Sequence, residues 1–255
     1  MTPVASAFAT LPRGLVAATA FMTRVPIGRF VTVDASAVAS AAPFYPLVGA
    51  GLGALAGLAE RGLSPSLPPL VVSGLLIAFL ASLTGAMHLD ALADTADALG
   101  GRSREDSLRI MRDHALGAYG TTALALALLV KLAAVAALIE TGDAMASLVV
   151  ACACSRESFL PLAAVLPYAR NEERGFAASE QISRAAAGLG LAVAAAVAVI
   201  VAGAVGAVGF GAVLALAGLA AVFYRRWLGG VTGDALGAVV ELAEVTVLTI
   251  ALAAA

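Results

Sequence analysis

Long apolar stretches, separated by short polar segments, run through most of this chain. Seven of them are apolar over roughly the 20 residues that cross a bilayer as a helix. Their approximate bounds are 37–60, 69–90, 118–139, 144–167, 185–204, 207–224 and 236–255, and a Gly-rich join at 200–211 separates the fifth from the sixth. The pattern predicts an all-α polytopic integral membrane helical bundle, with about seven transmembrane helices in a single membrane-embedded domain, 1–255.

The N-terminal apolar run is too short to cross a membrane. It extends only from Leu15 to Phe21, between Arg13 and Arg24. It also lacks a well-placed cleavage site of small residues. We therefore expect an interfacial helix here, and not a signal peptide.

Basic residues cluster on one side of the predicted spans. Twelve of the fifteen precede the first span or follow the second, fourth and sixth, and the opposite side carries only Arg61. The twelve are Arg13, Arg24, Arg29, Arg102, Arg104, Arg109, Arg112, Arg170, Arg174, Arg184, Arg225 and Arg226. Because cytoplasmic loops carry such an excess, we expect a multi-pass protein of the bacterial cytoplasmic (inner) membrane, with this side in the cytoplasm.

Composition agrees with a membrane setting and excludes one class of partner. Hydrophobic residues make up 61% of the chain and charged residues 13%, unlike an ordinary soluble domain. A net charge of −2 without a basic tract argues against nucleic acid as a partner.

Cys152 and Cys154 point to different helix faces, so we expect small buried side chains there and neither a disulfide nor a zinc site.

Acidic residues cluster where the second apolar stretch ends, in the segment LTGAMHLDALADTADALGG. The spacing of Asp90, Asp94 and Asp97 places three carboxylates on one face of a helix, with His88 close to that face. Packed carboxylates repel one another unless a cation neutralises them, and hard oxygen ligands suit Mg²⁺. The pattern predicts a magnesium site opening toward the cytoplasm. The plainer alternative is a solvated helix end.

The following polar segment, 99–120, has the start signals of a short helix. Ser103 is the predicted N-cap, and Asp106 completes a capping box. We expect this helix to run from Arg104 to about His114.

Two polar segments on this side are suited to bind phosphate, although both also fit plain cytoplasmic connectors. In the first, Asp113 is expected to face back toward the acid cluster. The candidate anion-binding residues are Arg102, Arg109 and Arg112 in the first segment, and Tyr168, Arg170 and Arg174 in the second, 167–184.

Several charged residues fall within or beside apolar spans, where a charge is a functional hypothesis by default. They are Lys131, Arg156 with its neighbour Glu157, Asp234, Glu241 and Glu244. One alternative is an ion pair between Lys131 and one of Asp234, Glu241 and Glu244. For Arg156 two alternatives stay open, a structural salt bridge and an anion bound at the base of a cavity.

Carboxylates for a divalent metal and arginines for phosphate are what phosphoryl transfer needs. Two rival classes share part of this pattern. A metal-dependent membrane prenyltransferase usually carries two similar Asp-rich clusters, and Asp234, Glu241 and Glu244 make a poor second one. A secondary transporter holds its carboxylates near the membrane midplane, whereas these aspartates follow the end of a span. The sequence therefore favours an enzyme. A CDP-alcohol phosphotransferase, the nearest alternative in chemistry, needs an Asp-Gly then Ala-Arg spacing that this chain lacks.

Two adjoining motifs carry a resemblance to a known family. HLDALADTADALGG at 88–101, followed by REDSLRIMRDHALGAYG at 104–120, resembles the signature of cobalamin synthase, the adenosylcobinamide-GDP ribazoletransferase family. The order and spacing of further segments also match: FMTRVPIG at 21–28, FYPLVGAGLG at 44–53, SRES at 155–158, LPYAR at 166–170 and GGVTGDALGAVVELAE at 229–244. The chain departs from the family pattern at Ala91, Ala98 and His114, and none of these changes removes a carboxylate.

The resemblance implies an Mg²⁺-dependent transferase acting on two nucleotide-derived substrates. A ribose hydroxyl of α-ribazole, or of α-ribazole 5′-phosphate, attacks the phosphorus attached to the cobinamide of adenosylcobinamide-GDP. GMP departs, and adenosylcobalamin or its phosphate is formed.

The resemblance also implies roles for individual residues. Asp90, Asp94 and Asp97 would hold Mg²⁺. Asp113 would be a further ligand or the base, and His88 a base, a ligand or a hydrogen-bond partner. The implied substrate-binding residues are Arg24, Arg102, Arg109, Arg112, Arg156, Tyr168, Arg170, Asp234 and Glu241. Because the resemblance includes the Ser-Arg pair of SRES, we expect Arg156 to face the same interior cavity as the three aspartates and to bind an anion there, so that Arg156→Met folds normally and loses activity. The lipid bilayer is the remaining partner, and a homo-oligomer is an open alternative.

Overall fold

The computed structural model describes residues 13–29, 41–113, 115–170 and 182–255. Predictions for His114, Arg174 and the side chain of Arg29 lie outside the described residues. The described helices are α1 (Arg13–Met22), α2 (Tyr45–Leu63), α3 (Pro69–Thr84), α4 (Met87–Ala98), α5 (Arg104–Ile110), α6 (Ala118–Thr141), α7 (Ala144–Glu157), α8 (Leu160–Val165), α9 (Arg184–Trp227) and α10 (Gly233–Ala254). Short 3₁₀ turns at Pro26–Arg29 and Ala42–Phe44 complete the helical structure.

The apolar helices confirm an all-α polytopic membrane architecture. Among the described residues, five helical segments are long and apolar enough to cross a bilayer: Ala42–Leu63, Ala118–Thr141, Ala144–Val165, Arg184–Trp227 and Gly233–Ala254. A sixth is counted when the bent pair α3 and α4 is taken as one span. The predicted total of seven crossings stays a prediction.

The 44-residue helix α9 is interrupted near its middle. Ala202 and Gly203 have non-helical backbone angles, with Gly203 at φ 54° and ψ −128°. A Cβ on Gly206 would overlap the carbonyl oxygen of Ala198, although residues eight apart in a continuous helix lie about 12 Å apart. The chain therefore reverses direction at this break, which falls in the Gly-rich join predicted between two spans.

The second predicted span, 69–90, is wrong in its boundary. α3 ends at Thr84, and both Gly85 (φ 68°) and Ala86 (φ 56°) adopt the left-handed conformation. Two such residues in succession turn the chain, so the axes of α3 and α4 differ by 89°. The left-handed conformation costs a non-glycine residue roughly 1–2 kcal/mol. His88 and Asp90 consequently belong to a separate helix.

Small residues bring the spanning helices into close contact. A Cβ on Gly49 or Gly53 of α2 would overlap the backbone of α7 at Cys152 or Leu148. Both cysteines of α7 are free and buried, as predicted. Close backbone approach of this kind is how helices pack in lipid, where no hydrophobic force drives them together.

The helix α4 packs along the first turns of α10. A Cβ on Gly237 would lie 2.5 Å from the Cβ of Ala91 and 3.8 Å from the imidazole Cδ2 of His88. This packing places the acidic helix at one end of the bundle, next to α5 and the segments 167–170 and 229–234. We call this region the aspartate end.

Candidate active site

The predicted acidic helix forms, but its side chains differ in environment. His88, Asp90, Asp94 and Asp97 all lie on α4. Asp90 is exposed, Asp94 and Asp97 are half-buried, and His88 is buried. The helix thus presents two carboxylates, one turn apart, toward its accessible side.

Asp97 binds the start of the next long helix. Its Oδ2 accepts a hydrogen bond from the backbone N–H of Gly117 at 2.7 Å, and its Oδ1 accepts one from Gly120 at 2.8 Å. Gly117 is the N-cap of α6 and has no side chain with which to cap it. The carboxylate of Asp97 therefore satisfies two of the N–H groups that a helix start leaves without partners.

The aspartates alone do not form a closed metal site. Within the described ranges, no group of three or more His, Cys, Asp or Glu side chains is arranged to hold a metal ion. Mg²⁺ is usually bound by one or two carboxylates, with water and substrate phosphates completing its shell. Asp90 and Asp94 fit an ion of this kind that is shared with a diphosphate.

His88 lines a small internal cavity together with residues of the spanning helices. The cavity has a volume of about 20 Å³, and its polar lining comprises Thr84, His88, Lys131, Arg156, Glu241 and Glu244. This volume suffices for about one water molecule. Asp90, Asp94 and Asp97 do not line it, so the expected shared cavity of Arg156 and the aspartates is wrong.

The charges within the spans form one ion-pair network. The Nζ of Lys131 lies 2.8 Å from Glu241 Oε1 and 2.7 Å from Glu244 Oε1, and Arg156 pairs with Glu244 Oε2. All four side chains are between 3% and 7% exposed. Two cations balance two anions, because an unpaired charge inside a membrane is expensive.

The network confirms the ion-pair alternative for Lys131 and extends it to both glutamates. It also bears on two expectations from the sequence. Arg156 pairs with Glu244 and lines a cavity that the aspartates do not line. Glu241 is 4% exposed and is held by Lys131, and its role in substrate binding stays a prediction.

The short helix α5 forms with the predicted cap. The Oγ of Ser103 accepts a hydrogen bond from the N–H of Asp106 at 3.1 Å. Asp106 Oδ2 accepts one from the N–H of Arg102, and Asp106 Oδ1 pairs with Arg109 at 2.5 Å. The hydrogen bond from Arg109, together with that from Arg102, holds the pKa of Asp106 below its usual value.

The end of α5 differs from the prediction, and the expected orientation of Asp113 toward the acid cluster stays a prediction. The helix ends at Ile110 and not near His114. Asp113 is exposed, and its Oδ1 accepts a hydrogen bond from the N–H of Ala115 at 3.1 Å. Such a local bond offers the backbone an alternative to continued helix. Asp113 is thus bound to its own loop through one oxygen.

A groove of about 450 Å³ lies between α5 and the segment 167–170. It brings together three predicted phosphate-binding residues, Arg109, Arg112 and Arg170, whereas Arg102 does not line it. The full lining is Arg104, Glu105, Leu108, Arg109, Arg112, Ala169 and Arg170. Arg109 pairs with Asp106 and Arg170 with Asp234, so the four guanidinium groups exceed the neighbouring carboxylates Glu105, Asp106 and Asp234 by one positive charge, which suits phosphate.

Arg104 is the member of this groove that the sequence did not reveal as a binding residue. Its Nη2 donates a hydrogen bond to the carbonyl oxygen of Ala169 at 3.3 Å. Its guanidinium also lies over Gly229, where an added Cβ would be 3.2 Å from its Cζ. Ala169 and Gly229 are both far from Arg104 in the sequence, so no local motif predicts these contacts.

The segment around Tyr168 is ordered by pairing with the start of α10. Tyr168 forms an isolated parallel bridge with Val231. The N–H of Ala169 donates to Val231 O at 2.8 Å, and the N–H of Val231 donates to Pro167 O at 2.9 Å. The predicted substrate-binding residues Tyr168 and Arg170 are therefore held rigidly beside the groove.

Asp234 and Arg24 are both placed near these elements. Asp234 Oδ2 accepts a hydrogen bond from Arg170 Nη2 at 3.0 Å. The N–H of Arg24 donates to Leu83 O at 2.7 Å, and its side chain covers Gly85 at the bend before α4. Arg24 thus lies at the N-terminal end of the acidic helix. Asp234 lies beside the arginine groove, where it forms an ion pair with Arg170.

Comparison with known proteins identifies relatives along almost the whole chain. The family whose sequence profile matches residues 14–252 is cobalamin-5-phosphate synthase. A protein of Syntrophobacter fumaroxidans is 39% identical over 243 residues, covering 92% of this chain and 96% of its own. A protein of Pseudomonas aeruginosa is 38% identical over 241 residues, with the same coverage.

A third relative, from Leptothrix cholodnii, is 39% identical over 235 residues, covering 88% of this chain and 89% of its own. All three are named adenosylcobinamide-GDP ribazoletransferase. No solved structure matches this chain. The family match and the extent of these similarities show that the chain is an enzyme of the cobalamin-5-phosphate synthase family.

Proposed function

We propose that this protein joins adenosylcobinamide-GDP to α-ribazole, or to α-ribazole 5′-phosphate, in an Mg²⁺-dependent reaction that releases GMP. The observation that carries the proposal is the contact between the acidic helix α4 and the arginine-bearing helix α5. These two helices pack against each other. Carboxylates for a cation and guanidiniums for a diphosphate therefore lie on neighbouring helices at the same end of the bundle.

The reaction needs one new O–P bond and the loss of another. The ribose hydroxyl of the acceptor attacks the phosphorus attached to the cobinamide, the bond from that phosphorus to the bridging oxygen breaks, and GMP leaves. Bound Mg²⁺ would supply positive charge to the diphosphate oxygens, with Asp90 and Asp94 holding it. Arg104, Arg109, Arg112 and Arg170 would balance the negative charge of the diphosphate and of departing GMP.

The hydroxyl proton must be accepted at an accessible carboxylate or imidazole. Asp113 is exposed at the aspartate end, and its Oδ1 accepts a hydrogen bond from the N–H of Ala115. His88 is 6% exposed and lines the cavity of the ion-pair network. We therefore assign the proton acceptor to Asp113, and we assign to His88 the positioning of α4.

The buried acids argue against the rival reading as an ion-coupled transporter. Such a protein needs a carboxylate that exchanges its ion or proton near the midplane. Glu241 and Glu244 are both engaged by Lys131, and Glu244 also by Arg156.

Two other transferase classes remain as alternatives, the CDP-alcohol phosphotransferases and the prenyltransferases. Assays with a CDP-alcohol and with a prenyl diphosphate in place of adenosylcobinamide-GDP serve as specificity controls for them.

The test is an assay of purified protein in detergent with adenosylcobinamide-GDP and each acceptor, with Mg²⁺ or EDTA. We expect stoichiometric GMP and a corrinoid product joined to ribazole only when Mg²⁺ is present. Asp143→Asn, which removes an exposed carboxylate near the first turn of α7, is the matched control and should keep wild-type turnover. Absence of GMP release with both acceptors would contradict the proposal.

We also propose that the aspartate end faces the cytoplasm of a bacterial inner membrane, because most basic residues flank that side. A reporter fused after Leu99 should behave as cytoplasmic, and one fused after Thr141 or Ala255 as external. A cytoplasmic reporter at Ala255 would show an even number of crossings.

A further inference from the structure

The three aspartates of α4 share a spacing, and Asp97 is bound through both oxygens to the backbone of another helix. Its partners, the N–H groups of Gly117 and Gly120, lie at 2.7 and 2.8 Å. Both belong to the first turn of α6. The negative charge of Asp97 is therefore already opposed by the positive end of a helix dipole.

The two glycines make room for this carboxylate. A Cβ on Gly117 or on Gly120 would overlap the carboxylate group of Asp97. Gly117 has ordinary extended angles, φ −93° and ψ −175°, so its backbone conformation does not require glycine. Gly117 provides space for the Asp97 side chain, and Gly120 provides space for that side chain and for the carbonyl oxygen of Ala93, which would lie 2.9 Å from an added Cβ.

The contact closes the loop that carries the arginine groove. Residues 98–116 leave α4 and return to α6, and they include α5 with Arg104, Arg109 and Arg112. Other contacts fix the loop from outside: Arg104 bonds to Ala169, and the hydroxyl of Thr232 lies 3.6 Å from the sulfur of Met111. Asp97 fixes it at its base, directly beside the turns of α4 that bear Asp90 and Asp94.

We propose that Asp97 is a positioning residue that joins α4 to α6, and not a metal ligand. It keeps the arginine groove at a fixed distance from the carboxylates of Asp90 and Asp94. This assignment rests on the proposed function for its catalytic consequence, whereas the contact itself can be tested without any substrate.

The first test measures how firmly the loop is held. Trypsin cleaves after arginine, and the loop offers Arg102, Arg104, Arg109 and Arg112. In detergent, Asp97→Ala should be cleaved in this loop about fivefold faster than wild type, because it removes a helix cap. Asp97→Asn should be cleaved at an intermediate rate, because its amide keeps one acceptor oxygen and sets an NH₂ donor against the second N–H. The matched control, Asp90→Asn, should leave the cleavage rate unchanged.

Gly117→Ala approaches the same contact from the other side. Alanine adopts the extended angles of Gly117, and the three atoms nearest to an added Cβ all belong to the Asp97 side chain, the first of them at 2.5 Å. We expect faster cleavage of the loop in Gly117→Ala, and no additional acceleration when Asp97→Ala is already present. This pair also keeps the proposal testable if Asp97→Ala fails to fold.

The second test separates positioning from metal binding. Asp97→Ala should raise KM for adenosylcobinamide-GDP about fivefold and leave the Mg²⁺ concentration for half-maximal rate unchanged. Asp97→Asn, which keeps one acceptor oxygen, should raise KM less than Asp97→Ala does. A loss of structure alone would instead lower the active fraction without a change in KM.

Mn²⁺ binding followed by electron paramagnetic resonance supplies a readout without turnover. The proposal expects wild-type Mn²⁺ affinity in Asp97→Asn and weakened affinity in Asp94→Asn. An Asp97→Asn variant that weakens Mn²⁺ binding more than about tenfold while retaining wild-type resistance to trypsin would overturn the assignment. If wild type shows no transferase activity, the proposed function fails, and the trypsin measurements still decide whether Asp97 holds the loop.

Discussion

Two helices of this protein carry acids at similar spacing, and they use them in opposite ways. On α10, Glu241 and Glu244 are 4% and 3% exposed, and both pair with basic side chains from other helices. On α4, Asp90 is exposed and Asp94 is half-buried. The acids of α10 are enclosed with their counter-ions, whereas those of α4 remain within reach of an added cation.

The two sets of acids differ because those of α10 are neutralised by basic side chains of the protein. A carboxylate inside a bundle must be paired and hydrogen-bonded, because removing it from water costs several kcal/mol. Lys131 on α6 and Arg156 on α7 meet that requirement for α10. Acids at the end of a bundle keep their water and can exchange it for a metal ion. The two helices should therefore respond differently to loss of one charge, in activity for α4 and in stability for α10.

The largest expected effect is that of Asp94→Asn on turnover. The change preserves shape but removes the charge that a hard cation requires, so we expect turnover to fall by more than about 100-fold. Thermal unfolding in detergent should shift by no more than the equivalent of about 1 kcal/mol, because the side chain is half-buried. Wild-type turnover in this variant would remove Asp94 from the site.

Arg156→Met should show the opposite pattern. It leaves Glu241 and Glu244 with Lys131 alone, and breaking a buried ion pair typically costs about 3–5 kcal/mol. We expect a lower free energy of unfolding in a detergent titration, with activity per folded molecule near that of wild type. This expectation reverses the one made from the sequence, in which Arg156 binds an anion and its replacement leaves folding intact.

The matched control for Arg156→Met removes both partners of the pair. The double variant Arg156→Met, Glu244→Met keeps the Lys131–Glu241 pair and should regain most of the lost stability. A stable Arg156→Met protein that has lost turnover would instead show that Arg156 acts on substrate and would break the comparison between the two helices.

A smaller effect is expected in the groove. Arg104→Met removes one guanidinium that would contact the diphosphate, and a hydrogen bond to a charged group contributes about 1.5–3 kcal/mol. We expect KM for adenosylcobinamide-GDP to rise about tenfold or more, with little change in kcat. Arg226→Met is the control, because Arg226 is exposed on α9 and does not line the groove. Equal effects of both variants would contradict a specific site.

The features that depend on a local sequence pattern could be predicted from the sequence. The apolar runs, the acidic helix and the Ser103 cap were predictable, because each depends on residues that are near in sequence. The bend at Gly85 and Ala86 was not, because the second of these residues is an alanine in a left-handed conformation that sequence reasoning assigns to glycine.

The partners of the charged residues were only partly predictable. An ion pair of Lys131 with a glutamate followed from the cost of buried charge, and pairing of Arg156 with Glu244 required the register between α7 and α10. Asp97 has the same type and spacing as its neighbours, and its different partner depends on two glycines about 20 residues later. The spacing of acids on one helix therefore locates a site without assigning the role of each member.

The smallest expected effect is that of Asp106 on α5, at the exposed edge of the same end. The hydrogen bond from Arg109 and that from Arg102 lower the pKa of this carboxyl, so its ionised form favours the folded state. The resulting stabilisation is present above the ordinary carboxyl pKa of about 3.9 and is lost as the pH falls through the lowered folded-state pKa. Between pH 6 and 9 the group stays ionised. KM for adenosylcobinamide-GDP should therefore have the same pH dependence in Asp106→Asn as in wild type across that range.

Asp106→Asn should also raise the rate of tryptic cleavage in the loop by no more than about twofold at pH 7, because exposed ion pairs contribute little. A large increase, comparable with that of Asp97→Ala, would show that the groove depends on its exposed charge pair as much as on the anchor at its base. Whether an acid is enclosed or accessible would then not predict how strongly its loss affects the groove.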